Sequence, residues 1–432
     1  MAIKTFATHS FGCRVNHAER EEIERHMQKR GITYDGDAPD MFIINTCSIT
    51  HNAERSARQL IYQTRRKHPN TKIIVTGCSA TYWLKNGLYT DLPADMFVDN
   101  TNKEFLVELA LKKFVPKTKP KDHAFIEPPT DAFLSSNRAV IKIQDGCHRF
   151  CTFCIVPYLR GVPKSRNIKE IIKIIHEQSG LQEVILTAIN TEAFGKETGE
   201  DLISLLRTIF AQTQVSRISF GSVHPWSITN EFLDFYQEPD SQKRLVHFFH
   251  IPLQSGSNKI LQLMRRVHTR EDMLERVRKM HSIHPKAFFS TDIIVGFLEE
   301  EDADFQETYE FLKESPISKF HVFPFSKRLQ TGAYFMAKRL YEPSPEKKKE
   351  RVALLRELSE KKYTAFQRSL IGYKSQALVL SKKKGGWPLA LLDNQMLVLL
   401  RSLSAEPGGI VDVVVKDLES GQLIAARSHK NS

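Results

Sequence analysis

The sequence lacks any long apolar run. No stretch of about 18 or more apolar residues occurs, so we expect no helix that crosses a membrane. Residues 1–6 (MAIKTF) also lack the apolar stretch and the small-residue cleavage site of a secretory signal. At 41% hydrophobic residues, the chain still has ample material for packed cores. These features predict a soluble, cytoplasmic protein that contacts no membrane.

Cysteine is scarce, with six among 432 residues. Disulfides are rare in a reducing compartment, so metal binding or redox chemistry is the favoured role for these thiols. The six form two sets, one spread along the first part of the chain and one compact: Cys13, Cys47 and Cys78, and Cys147, Cys151 and Cys154.

Acidic residues are fewer than basic ones, and the formal net charge is +12. An excess of positive charge on a soluble protein indicates a polyanionic partner, most often nucleic acid. A basic solvated surface gives the same total, so charge alone leaves both interpretations open.

The first segment, residues 1–112, alternates strand-like and helix-like patterns. The strand-like runs cover residues 3–8, 41–45 and 72–76, and helical patterns lie between them. This β-α-β-α-β order predicts an α/β domain with an open parallel sheet.

Each isolated cysteine comes just after one of these strands. Cys13 follows the first, Cys47 the second and Cys78 the third. Sites in open α/β sheets form beyond the carboxyl ends of the strands, so we expect the three thiols to converge on one edge. The alternative is three small buried residues near strand ends, which the repeated placement disfavours.

The remainder divides into three parts. Residues 113–136 are rich in lysine and proline and are predicted to be an extended linker. From 137 to 368, six strand-like runs alternate with helices, which predicts a (βα)6 partial barrel with its chemistry at the C-terminal rim. Residues 369–432 hold short strand patterns broken by glycine pairs, and a basic run at 382–384 (KKK), and predict a small β-barrel.

The compact cysteine set has the spacing C-x3-C-x2-C and follows the first predicted barrel strand. Three thiolates can hold three irons of a 4Fe-4S cluster and leave the fourth iron open to another ligand. The alternative metal is zinc, with His148 as a fourth ligand. Structural zinc sites more often show two paired C-x2-C elements, and here only Cys151 and Cys154 form such a pair.

The spacing and its place in a six-unit barrel resemble the radical S-adenosylmethionine (SAM) superfamily. Further motifs resemble the methylthiotransferases of that superfamily across the whole chain. In the N-terminal segment these are FGCRVN at 11–16, NTCSIT at 45–50 and TGC at 76–78. The barrel motifs are QDGCHRFCTFCIVP at 144–157, HIPLQSGS at 250–257 and TDIIVGF at 291–297, and the C-terminal segment resembles the RNA-binding TRAM domain.

The resemblance implies two 4Fe-4S clusters and SAM as cofactors. The compact set would hold the cluster to which SAM binds, and Cys13, Cys47 and Cys78 would hold an auxiliary cluster that carries the sulfur to be inserted. The backbone of Phe153 would lie against the SAM adenine. Further candidate SAM contacts, each with a simple strand-end hydrogen bond as its alternative, are Thr187, Asn190, Ser222, Gln254 and Asp292. His224 and His250 are interpreted as packed or structural histidines.

The implied activity is that of a transferase that inserts a methylthio group, with an electron donor and a sulfur donor as unidentified partners. Three substrate branches compete: threonylcarbamoyladenosine in the tRNA anticodon stem-loop, isopentenyladenosine at the same place, and a ribosomal-protein aspartate. The GCRVN motif at 12–16 and the basic charge favour the first. A hypothesis of another class is a non-catalytic RNA-binding protein with structural zinc.

Two motifs depart from the family pattern. GFLEEE at 296–301 replaces the usual GFPGET, so we expect a turn of different shape. RGVPKSR at 160–166 lacks the acidic residue of the isopentenyladenosine branch. Arg160 and Arg166 are candidates, by position only, to meet the substrate carboxylate.

Overall fold

The computed structural model describes residues 3–114, 137–401 and 405–428. Most of the predicted linker, residues 115–136, lies outside these ranges, whereas residues 113 and 114 end a helix. Among the helices of the described residues, none combines the length and apolar character needed to cross a bilayer.

The first unit is a parallel sheet in the order β2-β1-β3-β4-β5. Its strands are β1 (Thr5–Ser10), β2 (Thr33–Tyr34), β3 (Met41–Thr46), β4 (Lys72–Gly77) and β5 (Met96–Val98). Its helices are α1 (Arg14–Lys29), α2 (His51–Lys67), α3 (Cys78–Asn86) and α4 (Leu106–Phe114). The predicted open α/β sheet is confirmed. The two short edge strands β2 and β5 were not predicted, because two or three residues carry too little alternation to show a period.

The central unit holds six parallel strands in two adjacent sheets, β6-β8-β9, with the short β7 antiparallel on the β6 edge, and β10-β11-β12; an isolated parallel bridge between Ile218 of β9 and Leu245, just before β10, links the two. The strands are β6 (Arg138–Asp145), β7 (Lys164–Ser165), β8 (Glu183–Ala188), β9 (Arg217–Phe220), β10 (Phe248–His250), β11 (Phe288–Val295) and β12 (Lys319–Pro324). This arrangement confirms the predicted (βα)6 partial barrel.

Ten helices cover or cap this partial barrel within the described residues. They are α5 (Val156–Arg160), α6 (Ile168–His176), α7 (Leu202–Gln212), α8 (Asn230–Gln237), α9 (Pro239–Arg244), α10 (Asn258–Leu263), α11 (Arg270–Ile283), α12 (Asp302–Glu314), α13 (Gly332–Met336) and α14 (Pro345–Ser369). Three-residue 3₁₀ turns occur at Lys103–Phe105, Thr191–Ala193 and Pro225–Ser227. The main apolar core lies between the barrel strands and their helices.

The last unit is a closed five-stranded barrel in the order β13-β14-β15-β17-β16. Its strands are β13 (Lys374–Lys384), β14 (Trp387–Leu391), β15 (Leu397–Leu400), β16 (Ile410–Glu419) and β17 (Gln422–Arg427). Closure leaves no open sheet edge, which protects so small a unit from edge-to-edge association.

The unusual turn after β11 closes through a carboxylate. Gly296 and Glu299 both have positive φ, at 69° and 60°. The carboxylate of Glu300 accepts hydrogen bonds from the amides of Gly296 and Phe297, and it pairs with Arg351 at 2.8 Å. Side-chain hydrogen bonding thus supports a turn that lacks the family's usual proline and glycine.

Candidate active site at the strand ends

The N-terminal cysteine set (Cys13, Cys47 and Cys78) lies at the carboxyl ends of β1, β3 and β4. Cys13 is the N-cap of α1, Cys47 follows β3, and Cys78 opens α3. The approach is close, because a Cβ on Gly12 would lie 2.5 Å from Cys47 Sγ. The predicted convergence is therefore seen, and Gly12, at φ +91°, is required both by its backbone conformation and by the lack of space.

Burial dominates the chemistry of these thiols. Burial, followed by the neighbouring Cys78 and Cys13, raises the pKa of Cys47 to about 12. Burial likewise raises the pKa of Cys13, against the opposing charge of Arg160. Three thiolates so placed need cations to compensate them, and iron supplies that compensation in a cluster.

The barrel cysteine set (Cys147, Cys151 and Cys154) lies on the loop between β6 and α5. Cys147 N donates to Gly161 O at 3.0 Å, and Cys154 N donates to Cys151 O at 2.9 Å, which fixes the loop as a tight fold. Arg266 Nη1 donates to Cys151 Sγ at 3.7 Å. Burial raises the pKa of Cys154 to about 12, with a smaller contribution from Cys151.

The spread of the sulfur atoms separates a cluster from a single ion. Tetrahedral zinc, with Zn–S bonds of about 2.3 Å, would bring its sulfurs to roughly 3.8 Å from one another. Neither cysteine set has its three sulfurs all within 4.8 Å of one another. The wider spacing suits a polynuclear cluster and disfavours structural zinc at either set.

Within the described residues, one other group has the tighter spacing of a single-ion site: His247, His284 and Asp393. The two imidazole rings are stacked, with centroids 3.7 Å apart and planes 15° apart. Their in-plane lone pairs therefore run nearly parallel and do not meet at one point. His247 is also held by Tyr236 and by the carbonyl of Gln242, so we interpret this group as packing.

The candidate SAM contacts lie at or beyond barrel strands, as expected. Thr187 is buried near the end of β8, and Ser222 follows β9 and donates to His250 O at 3.3 Å. Gln254 has φ +83° and donates its backbone N–H to Asp292 O at 2.9 Å. Asp292 lies within β11 and faces His250 Nε2 at 3.1 Å.

Asn190 marks a pocket with unsatisfied polar groups. Its side chain is fully buried, and Oδ1 accepts from Trp226 Nε1 at 3.2 Å while Nδ2 has no partner. Arg149 and Arg266 lie over the same indole at 4.8 and 4.7 Å, and each has a buried, unpartnered Nε. Three free donors beside the barrel cysteine set fit a polar, partly anionic ligand such as SAM.

The histidine interpretations agree with the geometry. His224 stacks on Trp226, and burial, followed by the charges of Arg266 and Arg149, lowers its pKa to about 3. His250 bonds to Ser290 Oγ at 3.0 Å. Both rings are used in local packing and hydrogen bonding.

Arg160 does not face solvent or an open pocket. Its guanidinium binds Glu19 and Asp145 at 2.9 and 2.8 Å and donates to Asn16 Oδ1 at 2.7 Å. Arg166 is held by Glu22 of α1 at 2.6 Å. The expectation that either one meets a substrate carboxylate is therefore wrong, since the two guanidiniums join the first unit to the barrel.

Glu19 is the centre of this joint. Burial alone would raise its pKa, but Arg160, Lys103 and Lys142 hold that pKa well below its ordinary value. Lys103 comes from the first unit and Lys142 from β6. A paired, buried carboxylate of this kind fixes the geometry between two units more than it adds net stability.

Several residues of the site were missed at the level of sequence, notably Arg149, Trp226, Arg266, Glu19, and Arg328, which donates to Ser48 Oγ beside Cys47 at 2.7 Å. Arg149 lies within the quoted cysteine motif, so its positive charge beside Cys147 and Cys151 was a usable signal, whereas Arg266 meets Cys151 only in the fold, across 115 positions. Glu19 and Arg328 gave no such signal, because their partners lie far away in sequence.

The comparisons with known proteins agree with this geometry. The profile of the radical SAM superfamily matches residues 141–312, and that of uncharacterized protein family UPF0004 matches residues 5–98. Among solved structures, a radical SAM methyltransferase from Kitasatospora setae has a TM-score of 0.52 at 12% identity, and covers 74% of this chain and 72% of its own, which shows a shared fold. The profile match and the shared fold identify a radical SAM domain within the chain.

Full-length relatives narrow the class. An Aquifex aeolicus protein named threonylcarbamoyladenosine tRNA methylthiotransferase is 34% identical, and the match covers 95% of this chain and 99% of the relative. A Bacillus subtilis protein of the same name is 31% identical, covering 95% and 93%. A Protochlamydia amoebophila protein named tRNA-2-methylthio-N(6)-dimethylallyladenosine synthase is 32% identical, covering 88% and 86%. The chain belongs to the radical SAM tRNA methylthiotransferase family, whose cofactors are SAM and two 4Fe-4S clusters.

Proposed function

We propose that the protein converts N6-threonylcarbamoyladenosine beside the tRNA anticodon to its 2-methylthio derivative. The observation that carries this choice is the naming of four relatives, 31–35% identical, as threonylcarbamoyladenosine methylthiotransferases. The GCRVN motif and the net charge of +12 support the same substrate. The enzyme would act in the cytoplasm, together with an electron donor and a sulfur donor.

We assign the barrel cysteine set to the cluster that binds SAM and the N-terminal cysteine set to the auxiliary cluster. When bound, SAM and the two clusters supply the radical and the sulfur of methylthio insertion. The six thiolates hold the clusters, and Arg266 neutralises charge beside Cys151. Both sets lie at strand ends of adjoining units, so the protein can present one substrate base to both.

The polar residues at the barrel strand ends would orient SAM. We assign this role to the buried donors around Trp226, with Asn190 foremost, and to Thr187, Ser222, Gln254 and Asp292. Phe153 packs against an apolar cluster that also includes Met336, and its backbone would lie against the SAM adenine. Burial of this pocket limits access of water to a reactive intermediate.

Each unit of the chain would have its own function in the reaction. Residues 1–112 carry the auxiliary site and 137–368 the radical site. Residues 113–136 would connect them. Residues 369–432 would bind the tRNA anticodon stem-loop through their basic surface, as TRAM-like barrels do.

The substrate test uses reduced enzyme and SAM with three candidates. Transfer RNA bearing threonylcarbamoyladenosine should yield its methylthio derivative by nucleoside mass spectrometry. A second candidate is isopentenylated tRNA, favoured by relatives named as dimethylallyladenosine enzymes. Methylthio transfer to that tRNA, or to the ribosomal protein, with none to the threonylcarbamoylated tRNA would refute the choice of substrate and leave the class intact.

A further inference from the structure

A short helix and the turn after it present aromatic rings beside cations at the barrel rim. We call this surface the platform and define it by Tyr334, Phe335, Lys338, Arg339 and Tyr341. Phe335 is 56% exposed and Tyr341 is 61% exposed. Lys338 lies over the rings of Tyr334 and Phe335, at 5.9 and 5.5 Å from their centroids.

The underside of the platform is fixed to the barrel cysteine loop. Ala333 is fully buried, and its N–H donates to Thr152 O at 2.7 Å, between Cys151 and Phe153. Met336 packs into the same apolar cluster as Phe153. The exposed rings are thus held on a rigid base next to the site where the radical chemistry is assigned.

The platform segment is basic, and the nearest carboxylates, Glu299 and Glu342, lie at its C-terminal end, where Glu299 Oε1 accepts from Tyr341 N at 2.6 Å. Residues 326–341 (SKRLQTGAYFMAKRLY) include four basic and no acidic side chains. Lys327 and Arg328 are engaged by Glu342 and Glu54. Lys338 and Arg339 form no ion pair with any carboxylate of the described residues, so their charge faces solvent.

This combination matches one kind of partner. A single exposed aromatic ring is ordinary on a protein surface. Exposed rings beside two cations that form no ion pair within the described residues are what proteins use to stack bases and contact phosphates of single-stranded nucleic acid. A protein partner with an acidic surface would not need the rings.

We propose that the platform stacks a base of single-stranded RNA, while Lys338 and Arg339 contact its phosphates, and so lays an RNA loop against the barrel cysteine loop. The inference rests on the proposed function, because the RNA is taken to be the loop of the substrate stem-loop. It adds a second RNA contact, separate from the C-terminal barrel, at the mouth of the reaction site.

The test measures binding of a synthetic anticodon stem-loop to the full-length reconstituted protein at several salt concentrations. Phe335→Ala should weaken binding by roughly 5- to 150-fold, the range for loss of one stacked base, with little change in salt dependence. Phe335→Tyr should restore it. Lys338→Ala combined with Arg339→Ala should flatten the slope of log Kd against log salt by about 1.4, for two single-strand phosphate contacts.

Matched controls separate the platform from general surface effects. Phe105 is 53% exposed on the first unit, so Phe105→Ala serves as the aromatic control, and Lys361→Ala serves as the lysine control on α14. Both should bind as wild type does. If wild type binds the RNA and the platform variants bind it equally well, the platform proposal is overturned and the proposed function is not. A wild-type protein that binds no RNA would overturn the proposed function together with the platform.

Discussion

Arg328, in the loop after β12, donates to Ser48 Oγ at 2.7 Å, and Ser48 directly follows Cys47. The same guanidinium pairs with Glu54 at 2.7 Å and bonds to His51 Nδ1 at 3.0 Å. Five residues later, Ala333 is bonded to the barrel cysteine loop. One segment of the barrel therefore holds the loops of both cysteine sets.

Arg328→Ala should loosen the Cys47 loop without touching the barrel cysteine set. We expect a fall of about 3 kcal/mol in stability, because a buried charge pair loses one partner. Iron bound at the N-terminal set should fall, and methylthio transfer should drop at least tenfold, while SAM cleavage continues. Arg328→Lys should restore part of the iron. Iron assay, product mass spectrometry and 5′-deoxyadenosine release provide the three readouts. Loss of all three together would instead indicate global unfolding.

The two cysteine sets should be separable. Anaerobically reconstituted protein should be brown and bind about eight irons rather than zinc. Changing Cys147, Cys151 and Cys154 to Ala should remove about half of the iron and abolish SAM cleavage. Changing Cys13, Cys47 and Cys78 to Ala should keep SAM cleavage and stop methylthio insertion. Product formed by the second triple variant would refute the auxiliary assignment.

Gly12→Ala should damage the N-terminal set by steric contact in addition to backbone strain. The added Cβ would meet Cys47 Sγ at 2.5 Å, so the thiol must move. We expect the auxiliary iron to be lost or labile, as judged by iron content and the cluster absorbance. Gly87→Ala is the control, because Gly87 also has positive φ, at 67°, but nothing lies within 4 Å of its added Cβ. Equal iron loss in both variants would show that backbone strain, and not the contact, is responsible.

Glu21 should make the folded protein less stable as pH rises. Burial raises its pKa from 4.5 to about 7, only partly offset by Arg25 and the hydrogen bond from Val140 N. The folded state therefore binds more protons than the unfolded state between pH 4.5 and 7, and stability falls across that window. Glu21→Gln removes the ionisable group and therefore this loss. The free energy of unfolding of the variant, relative to that of wild type, should rise by roughly 1–2 kcal/mol between pH 5.5 and 8.

Thermal unfolding midpoints of the two proteins across this pH range provide the measurement for Glu21. Arg20 and Glu24 also face this carboxylate, and Glu21→Gln leaves both in place. If the unfolding midpoints of wild type and variant change with pH in the same way, the pKa of Glu21 is not raised in the folded protein.

The basic run on β13 should supply RNA affinity from the C-terminal barrel. Lys382, Lys383 and Lys384 are all exposed at the end of that strand. Replacing the three by Ala should weaken tRNA binding and flatten its salt dependence by roughly 0.7 to 0.9 log units for each lost phosphate contact. Salt titration of the binding constant measures the slope. An unchanged slope would make the run an ordinary solvated surface.

The sequence by itself determined the fold class, the two cysteine sets and the family, because these depend on local periodicity and on motif spacing. Strand ends could be predicted from short apolar runs, so the convergence of Cys13, Cys47 and Cys78 followed from the topology of a parallel sheet. Weak or short strands were missed: β14 and β17 in the last barrel, and β2 and β5 in the first sheet.

Only the tertiary structure decided which charged residues are free. Arg160 and Arg166 looked available for substrate, yet Glu19 and Glu22 of α1, more than 140 positions away, hold them. Arg328 is likewise tied to Ser48 across 280 positions. An ion pair depends on the distance between two side chains in space. Sequence separation does not encode that distance until the units are docked, so charge pairing, unlike strand order, had to come from the folded chain.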